Sequence, residues 1–241
     1  MRITVDSHTH TLVSEHAFST LEENIRAAAK AGLELMCMTD HAPSLPDSPG
    51  ECHFINFHVL PREEEGVKLL YGAELNIMDA KGTIDLPEHI LKRLDLCIAS
   101  YHTMCTPAGT IEENTSAYLG AIENPYVSII GHPEDGNVPV DFEQLVRAAK
   151  QNHVLLEVNN SSLKAAYYRK NVRENLITML KLCREQEASI SIGSDAHYSG
   201  AVGRFDEAKS LLAEVNFPER LIANTSAEKF LQFIEQKRKA R

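Results

Sequence analysis

Seven short apolar runs, separated by amphipathic stretches, constrain the fold of this chain more than any other feature. They are ITV (3–5), LELMCMT (33–39), VKLLYGAELNI (67–77), LDLCIAS (94–100), YVSIIG (126–131), VLLEVN (154–159) and SISIGS (189–194). Continuous apolar runs of this length suit strands covered on both faces, and the intervening stretches are long enough for crossover helices. Ser19 with Glu22 and Thr20 with Glu23 have capping-box spacing for a helix ending near Gly32, and Pro87 suits a first helical position. Further helices are predicted over about 110–123, 141–152, 172–187, 204–214 and 227–238. Strands alternating with helices in one direction make a parallel α/β fold with right-handed crossovers, and seven strand candidates favour a barrel over an open sheet. No linker, repeat or low-complexity tract divides the 241 residues, so a single domain over 1–241 is expected. The segment 42–66, with four prolines, reads as one long irregular loop.

Composition narrows the partners. Lys and Arg total 24 against 34 Asp and Glu, a net charge of -10 that repels nucleic-acid phosphates and anionic lipid unless something local reverses the field. No apolar run approaches the ~20 residues of a membrane span. Asp6 interrupts the N-terminus before the apolar stretch that a secretory signal requires. Five cysteines, an odd count without a C-x-x-C pair, fit reduced thiols and a cytoplasmic location. Cys37 and Cys97 fall within apolar runs and read as small core hydrophobes.

In a parallel barrel the chemistry collects at the C-terminal ends of the strands. There, His8 and His10 leave the first run on one side, because side chains alternate with period two. His16 follows, the second run ends in Asp40-His41, and the third carries Glu74. The later runs lead into His102, His132, and Asp195 with His197; only VLLEVN adds nothing to the rim. A lone histidine in such a place is an ordinary structural residue. Seven of the eleven histidines at strand ends or adjoining loops are another matter, and imidazole with carboxylate is a ligand set for Zn, Mn or Fe. The set contains no cysteine, which argues against a structural zinc site. Nine ligands exceed one tetrahedral ion and suit a cluster of two or three sharing a bridging carboxylate. Three divalent ions would bring the charge of -10 to about -4 and concentrate positive potential in one cleft.

The ordered set Asp6-Ser7-His8-Thr9-His10-Thr11, Thr39-Asp40-His41, Gly72-Ala73-Glu74, Tyr101-His102, Gly131-His132-Pro133 and Gly193-Ser194-Asp195-Ala196-His197 resembles the PHP (polymerase and histidinol phosphatase) superfamily along the whole chain. His53-Phe54-Ile55-Asn56, Pro61-Arg62 and Glu157-Val158-Asn159-Asn160-Ser161-Ser162 make it similar to the short stand-alone bacterial phosphatases of the YcdX type. The resemblance implies a distorted (β/α)7 TIM-like barrel with three divalent ions, Zn foremost and Mn or Fe otherwise. It implies a first ion on His8, His10, Glu74 and Asp195, a second on Glu74, His102 and His132, and a third on His16, His41 and His197. The implied activity is hydrolysis of small phosphomonoesters through a metal-bridged hydroxide, with no Ser or Cys nucleophile. Asp6 and Asp40, adjacent to ligands, are candidates for fixing imidazole tautomers, with capping or turn roles as the alternative. Among loop cations, Arg62 and Arg169 are favoured over Lys164 and Lys170 as grips for an anionic substrate, and Asn160 is a candidate polar contact.

His53, His58, His89 and His153 fall outside the ligand pattern, and the basic tail Lys237, Arg238, Lys239 and Arg241 suits a helix C-terminus. Within the same class, a phosphodiesterase or 3′ to 5′ exonuclease is the rival, disfavoured by the acidic charge. Histidinol phosphatases of this superfamily are usually longer. An amidohydrolase-like C-N hydrolase shares the H-x-H opening, and two ions with His16 unliganded would favour it. A non-catalytic, metal-binding regulatory protein is the remaining alternative, favoured by absent turnover in metal-replete protein.

Overall fold

The computed structural model describes residues 1–164 and 168–239; Arg241 of the basic tail lies outside them. Seven parallel strands form the barrel: β1 (Val5–Thr9), β2 (Leu35–Met38), β4 (Val67–Asn76), β5 (Leu96–Ser100), β6 (Ile129–Gly131), β7 (Leu155–Asn159) and β8 (Ile190–Gly193), hydrogen-bonded in that order. A two-residue strand, β3 (Glu63–Glu64), pairs antiparallel with the start of β4. The helices are α1 (Leu21–Lys30), α2 (Glu51–Ile55), α3 (Glu88–Leu91), α4 (Ile111–Glu123), α5 (Phe142–Gln151), α6 (Asn160–Lys164), α7 (Val172–Gln186), α8 (Asp206–Glu214) and α9 (Ala227–Lys239). The expected seven-stranded barrel is therefore present.

Of the two capping boxes expected before α1, the structure forms Thr20 with Glu23, while the Ser19 hydroxyl accepts the Ser199 N–H instead. Segment 42–66 departs from the expected irregular loop. It contains α2, a 3-10 turn over Asn56–Val59 and β3. Phe54 and Phe57 anchor it in the core, Phe57 with its ring 5.5 Å from that of Tyr71. Glu65 and Gly66, both with positive φ, make the two-residue turn into β4.

Two apolar layers result. Met36, Met38, Leu69, Tyr71, Ala73 and Cys97 join the large outer cluster between strands and helices. Val5, Leu35, Cys37, Leu96, Ile129 and Leu155 fill the lower interior of the barrel, where Phe230 and Ile234 of α9 close it from below. Along β4 and β5, simple alternation then carries the inner face upward from Leu70 to Glu74 and Asn76, and from Leu96 to Ser100 and His102.

β1 breaks that rule. Asp6 pairs with Met36 and Thr9 with Met38, so three steps on β1 face two on β2, which is a bulge. Strict alternation from the inward Val5 would turn Ser7 and Thr9 inward. The bulge reverses the parity above it: Thr9 hydrogen-bonds the Cys37 carbonyl of the neighbouring strand, and His8 and His10 reach the barrel interior.

Between β8 and β1 no regular ladder forms, and side chains close the gap. The Asn224 amide donates to the Val5 and Ile192 carbonyls, at 3.1 and 2.9 Å, and its oxygen accepts the Ile192 N–H at 2.8 Å. Higher up, the Asp6 carboxylate accepts N–H groups of Ser194 (3.0 Å) and Gly203 (2.9 Å). At the top, Asp195 N–H donates to the His8 carbonyl and His10 N–H to the Ala196 carbonyl, both 2.9 Å.

Candidate metal centre

The structure brings together all nine residues of the expected ligand set. On Glu74, Oε1 lies 2.9 Å from His132 Nε2 and 3.4 Å from His102 Nε2, while Oε2 lies 3.3 Å from His8 Nε2 and 3.5 Å from His10 Nε2. Asp195 Oδ1 is 3.3 Å from His10 Nε2 and 3.4 Å from His197 Nδ1. The Nε2 atoms of His8 and His10 are 3.0 Å apart, and those of His16 and His41 are 3.1 Å apart. Two nitrogens on one tetrahedral zinc stand about 3.3 Å from each other, given Zn–N distances near 2.05 Å.

Ion binding is supported by what these atoms leave unsatisfied. His41 Nδ1 and Glu74 Oε2 approach to 2.7 Å without hydrogen-bond alignment, and both remain buried without a hydrogen-bond partner, as does His10 Nδ1. Buried orphan atoms of this kind cost roughly 1–3 kcal/mol each unless something else occupies them. Ligand atoms of His8, His10 and Glu74, of His41, Glu74 and His102, and of His10, His41 and His197 form three groups, each within 4.8 Å. The first holds three of the four residues expected on the first ion, without Asp195, and in the second His41 stands where the resemblance puts His132. In the last, His10 stands where the resemblance puts His16, which instead reaches the group through His41.

Protonation states suit the same use. Burial raises the pKa of the Glu74 carboxyl, but His8, His41 and His102 outweigh it and hold the group well below its ordinary value. Asp195 is lowered in the same way, burial being overcome by His8, His10 and His197. Burial, reinforced by neighbouring imidazoles, lowers His10 well below its usual range and His16 to about 4, so both rings are neutral, whereas at His8 burial is outweighed by Glu157, Glu74 and Asp195, which raise it well above its usual range, so an ion there would have to displace a proton.

Some supporting residues are not those expected. Glu157 is the acceptor for His8 Nδ1, at 2.8 Å, and also accepts the His132 N–H at 2.8 Å; its run, VLLEVN, therefore does contribute an acid to the rim. Asn76 Oδ1 stands 2.6 Å from His102 Nδ1 and fixes that ring. With Nδ1 held against these oxygens, the His8 and His102 rings present Nε2 toward Glu74. Gly193 makes room for this arrangement, since a Cβ there would lie 2.1 Å from Glu157 Oε1 and 2.7 Å from His8 Cβ.

Among the described residues Asp6 accepts backbone N–H groups, of Ser194 and Gly203 across the seam and of His8 on its own strand, and no imidazole, so its role is the structural alternative and tautomer control is corrected. Asp40 does meet one, but it is His53 Nε2 at 3.2 Å, outside the ligand set; its other bonds, from Thr11 and Ser14, hold the loop after β1. Arg62 is also corrected. Its guanidinium pairs with Asp95 at 2.7 Å, and its carbonyl accepts from Leu69, roughly 17 Å down β4 from Glu74.

Arg169 and Asn160 do reach the cavity of about 800 Å³ above the cluster, together with Lys164. Asn160 also accepts the Ala208 N–H through its side-chain oxygen, so part of its work is structural. The Arg169 side chain is only 10% exposed, donates to the Ser162 hydroxyl, and stands 3.9 Å from both Asp195 Oδ2 and Glu134 Oε1. Burial opposes its charge, but Asp195 and Glu134 raise its pKa. Glu134, wholly buried, is pushed up to about 8 by desolvation, against the pull of Arg169.

A sequence model described as PHP domain matches residues 6–240. A protein of Caldanaerobacter subterraneus subsp. tengcongensis named a probable phosphatase is 46% identical over 240 residues, covering 99% of this chain and 94% of that protein. Among solved structures, a histidinol phosphate phosphatase from Lactococcus lactis, complexed with zinc, L-histidinol and phosphate, aligns with a TM-score of 0.61 at 14% identity, covering 89% of this chain and 94% of that one. A chain in a cryo-EM structure of archaeal ribonuclease P with mature tRNA aligns with a TM-score of 0.60 at 14% identity, covering 97% and 90%. Likeness at 14% identity speaks for the fold alone. The match along residues 6–240, with that near relative, shows that this chain belongs to the PHP domain family.

Proposed function

We propose that this protein is a metal-dependent phosphoesterase that hydrolyses small phosphomonoesters at a three-ion site. The observation that carries the reading is the convergence of seven histidines and two carboxylates, with orphaned buried atoms among them, on the floor of a cavity that also holds a buried guanidinium. The phosphatase name of the 46% identical relative supports the reaction class. His8, His10, Glu74 and Asp195 would hold one ion, Glu74 with His102 and His132 a second, and His16, His41 and His197 a third. Divalent ions there, zinc foremost and Mn or Fe as alternatives, activate water and spread the charge that develops on phosphoryl oxygens.

The chain's own residues do the rest. Arg169, held between Asp195 and Glu134, offers guanidinium N–H groups to a phosphoryl oxygen at the cavity floor. Glu157 and Asn76 keep the His8 and His102 rings in one orientation, so the site does not reorganise as charge develops. Among the described residues no helix is long and apolar enough to cross a membrane. A small anionic substrate and a cytoplasmic setting complete the proposal.

Phosphate release from a panel of small monoesters and matched diesters, before and after chelation of bound metal, tests it. Metal-dependent monoester turnover well above diester turnover is expected. Diester turnover in excess would move the protein to the phosphodiesterase reading, and no turnover in metal-replete protein would overturn the esterase reading.

A further inference from the structure

The last residue of β4 is Asn76, wholly buried and two positions beyond Glu74, so both side chains leave the same face of the strand. The chain then turns back through residues 79–82. Met78 N–H donates to the Thr83 carbonyl and Ile77 bridges to Ile84, which brings Asp85 alongside Asn76. Asp85 is half-buried and lies outside the cavity lining, so whatever it does to the site it does through its neighbours.

Its carboxylate collects three N–H groups. Oδ1 accepts the Asn76 backbone N–H at 2.8 Å, and Oδ2 accepts the Asn76 side-chain amide at 2.7 Å and the Ser44 N–H at 2.9 Å. The second hydrogen on Asn76 Nδ2 goes to the Ala42 carbonyl at 3.2 Å. A carboxylate and a carbonyl only accept, so the amide nitrogen must face them, and both of its hydrogens are used. Turned over, the amide would set its oxygen against two other oxygens. Its oxygen therefore points the opposite way, to within 2.6 Å of His102 Nδ1.

Resting on the metal-dependent reading above, we propose that Asp85 positions His102 for the second ion. By fixing which end of the Asn76 amide faces the ring, it sets the tautomer in which Nδ1 carries the hydrogen and Nε2, beside Glu74, is the basic nitrogen. The determinant of one imidazole thus sits two side chains away from it, on a turn outside the barrel strands.

Asp85→Asn tests this. Its amide oxygen stays on the Asn76 backbone N–H, which sets its nitrogen against Asn76 Nδ2 and drives that amide to turn over. Side-chain proton–nitrogen spectra of metal-free protein in mildly alkaline buffer read the tautomer, with the His102 signal identified by its absence from His102→Gln. The parent should show the Nδ1–H form, and Asp85→Asn should shift His102 toward the Nε2–H form. One zinc ion per chain should then bind about tenfold more weakly, read by competition with a chelating dye. Adding Asn76→Asp to Asp85→Asn should restore both, because a carboxylate at that position presents an acceptor to His102 whichever way it turns. A merely structural Asp85 would lower the urea midpoint while leaving the tautomer unchanged, and the second substitution would rescue nothing. An unchanged tautomer or an unchanged zinc affinity in Asp85→Asn overturns the proposal and leaves the metal-dependent reading standing. The Nε2–H form in the parent overturns it whatever the variants do, and a parent that binds no zinc overturns both.

Discussion

Glu157 shows how one side chain organises several others. Fully buried, it accepts from the His8 ring and the His132 backbone and receives the Asn159 amide at 3.2 Å, joining ligands from β1 and β6 through a carboxylate on β7. Glu157→Gln keeps the size and one acceptor but removes the charge, and should weaken metal affinity about 10- to 100-fold. Titration calorimetry with zinc checks this, and a circular dichroism spectrum matching the parent separates lost affinity from lost fold. The nine rim residues were legible from sequence because they cluster at or just beyond the ends of apolar runs. Glu157 was not, since one acid inside VLLEVN does not show which histidine it faces across the barrel. Arg62 misled for a related reason. A loop cation adjoining a motif can point to either end of a barrel, and Asp95 holds this one at the far end.

Alternating runs made the strand order and the barrel readable, because a parallel strand must be apolar on both faces and needs a crossover to reach the next. Departures from regularity within those elements were hidden. The bulge in β1 leaves no mark in the amino-acid sequence beyond ordinary residues, yet it decides which residues of Asp6-Ser7-His8-Thr9-His10 face the site. The β8–β1 seam is likewise closed by Asn224, from a 3-10 turn between α8 and α9 that no strand pattern reveals. Asn224→Ala would strand the Ile192 N–H and weaken both carbonyl contacts. We expect a loss of about 2–4 kcal/mol from two or three buried hydrogen bonds, measured as a lower urea midpoint with m unchanged.

At the scale of the molecule, the barrel interior is divided by depth: apolar side chains below, sealed by Phe230 and Ile234 of α9, and histidines and acids above. The outer layer and the lower interior therefore supply the apolar core, and ions bound at the proposed centre would add stability to the upper half. Removing metal with a chelator should lower Tm while leaving the far-UV circular dichroism spectrum of the barrel in place. A site loaded at roughly 100 times its Kd adds about 2.7 kcal/mol, a shift of roughly 5–10 °C for a chain of this size. Differential scanning calorimetry with and without chelator measures it. Loss of all secondary structure on chelation would show that the lower half does not stand alone. The seam has a further consequence in the order of synthesis. His8 and His10 emerge from the ribosome first, and Asp195 and His197 only after β8, the strand on which β1 must close. A nascent chain ending at β7 carries most of the histidines but neither its closing strand nor the last carboxylate. Assembly of the complete centre is thus a late event of biogenesis, after the ribosome has delivered both margins of the sheet.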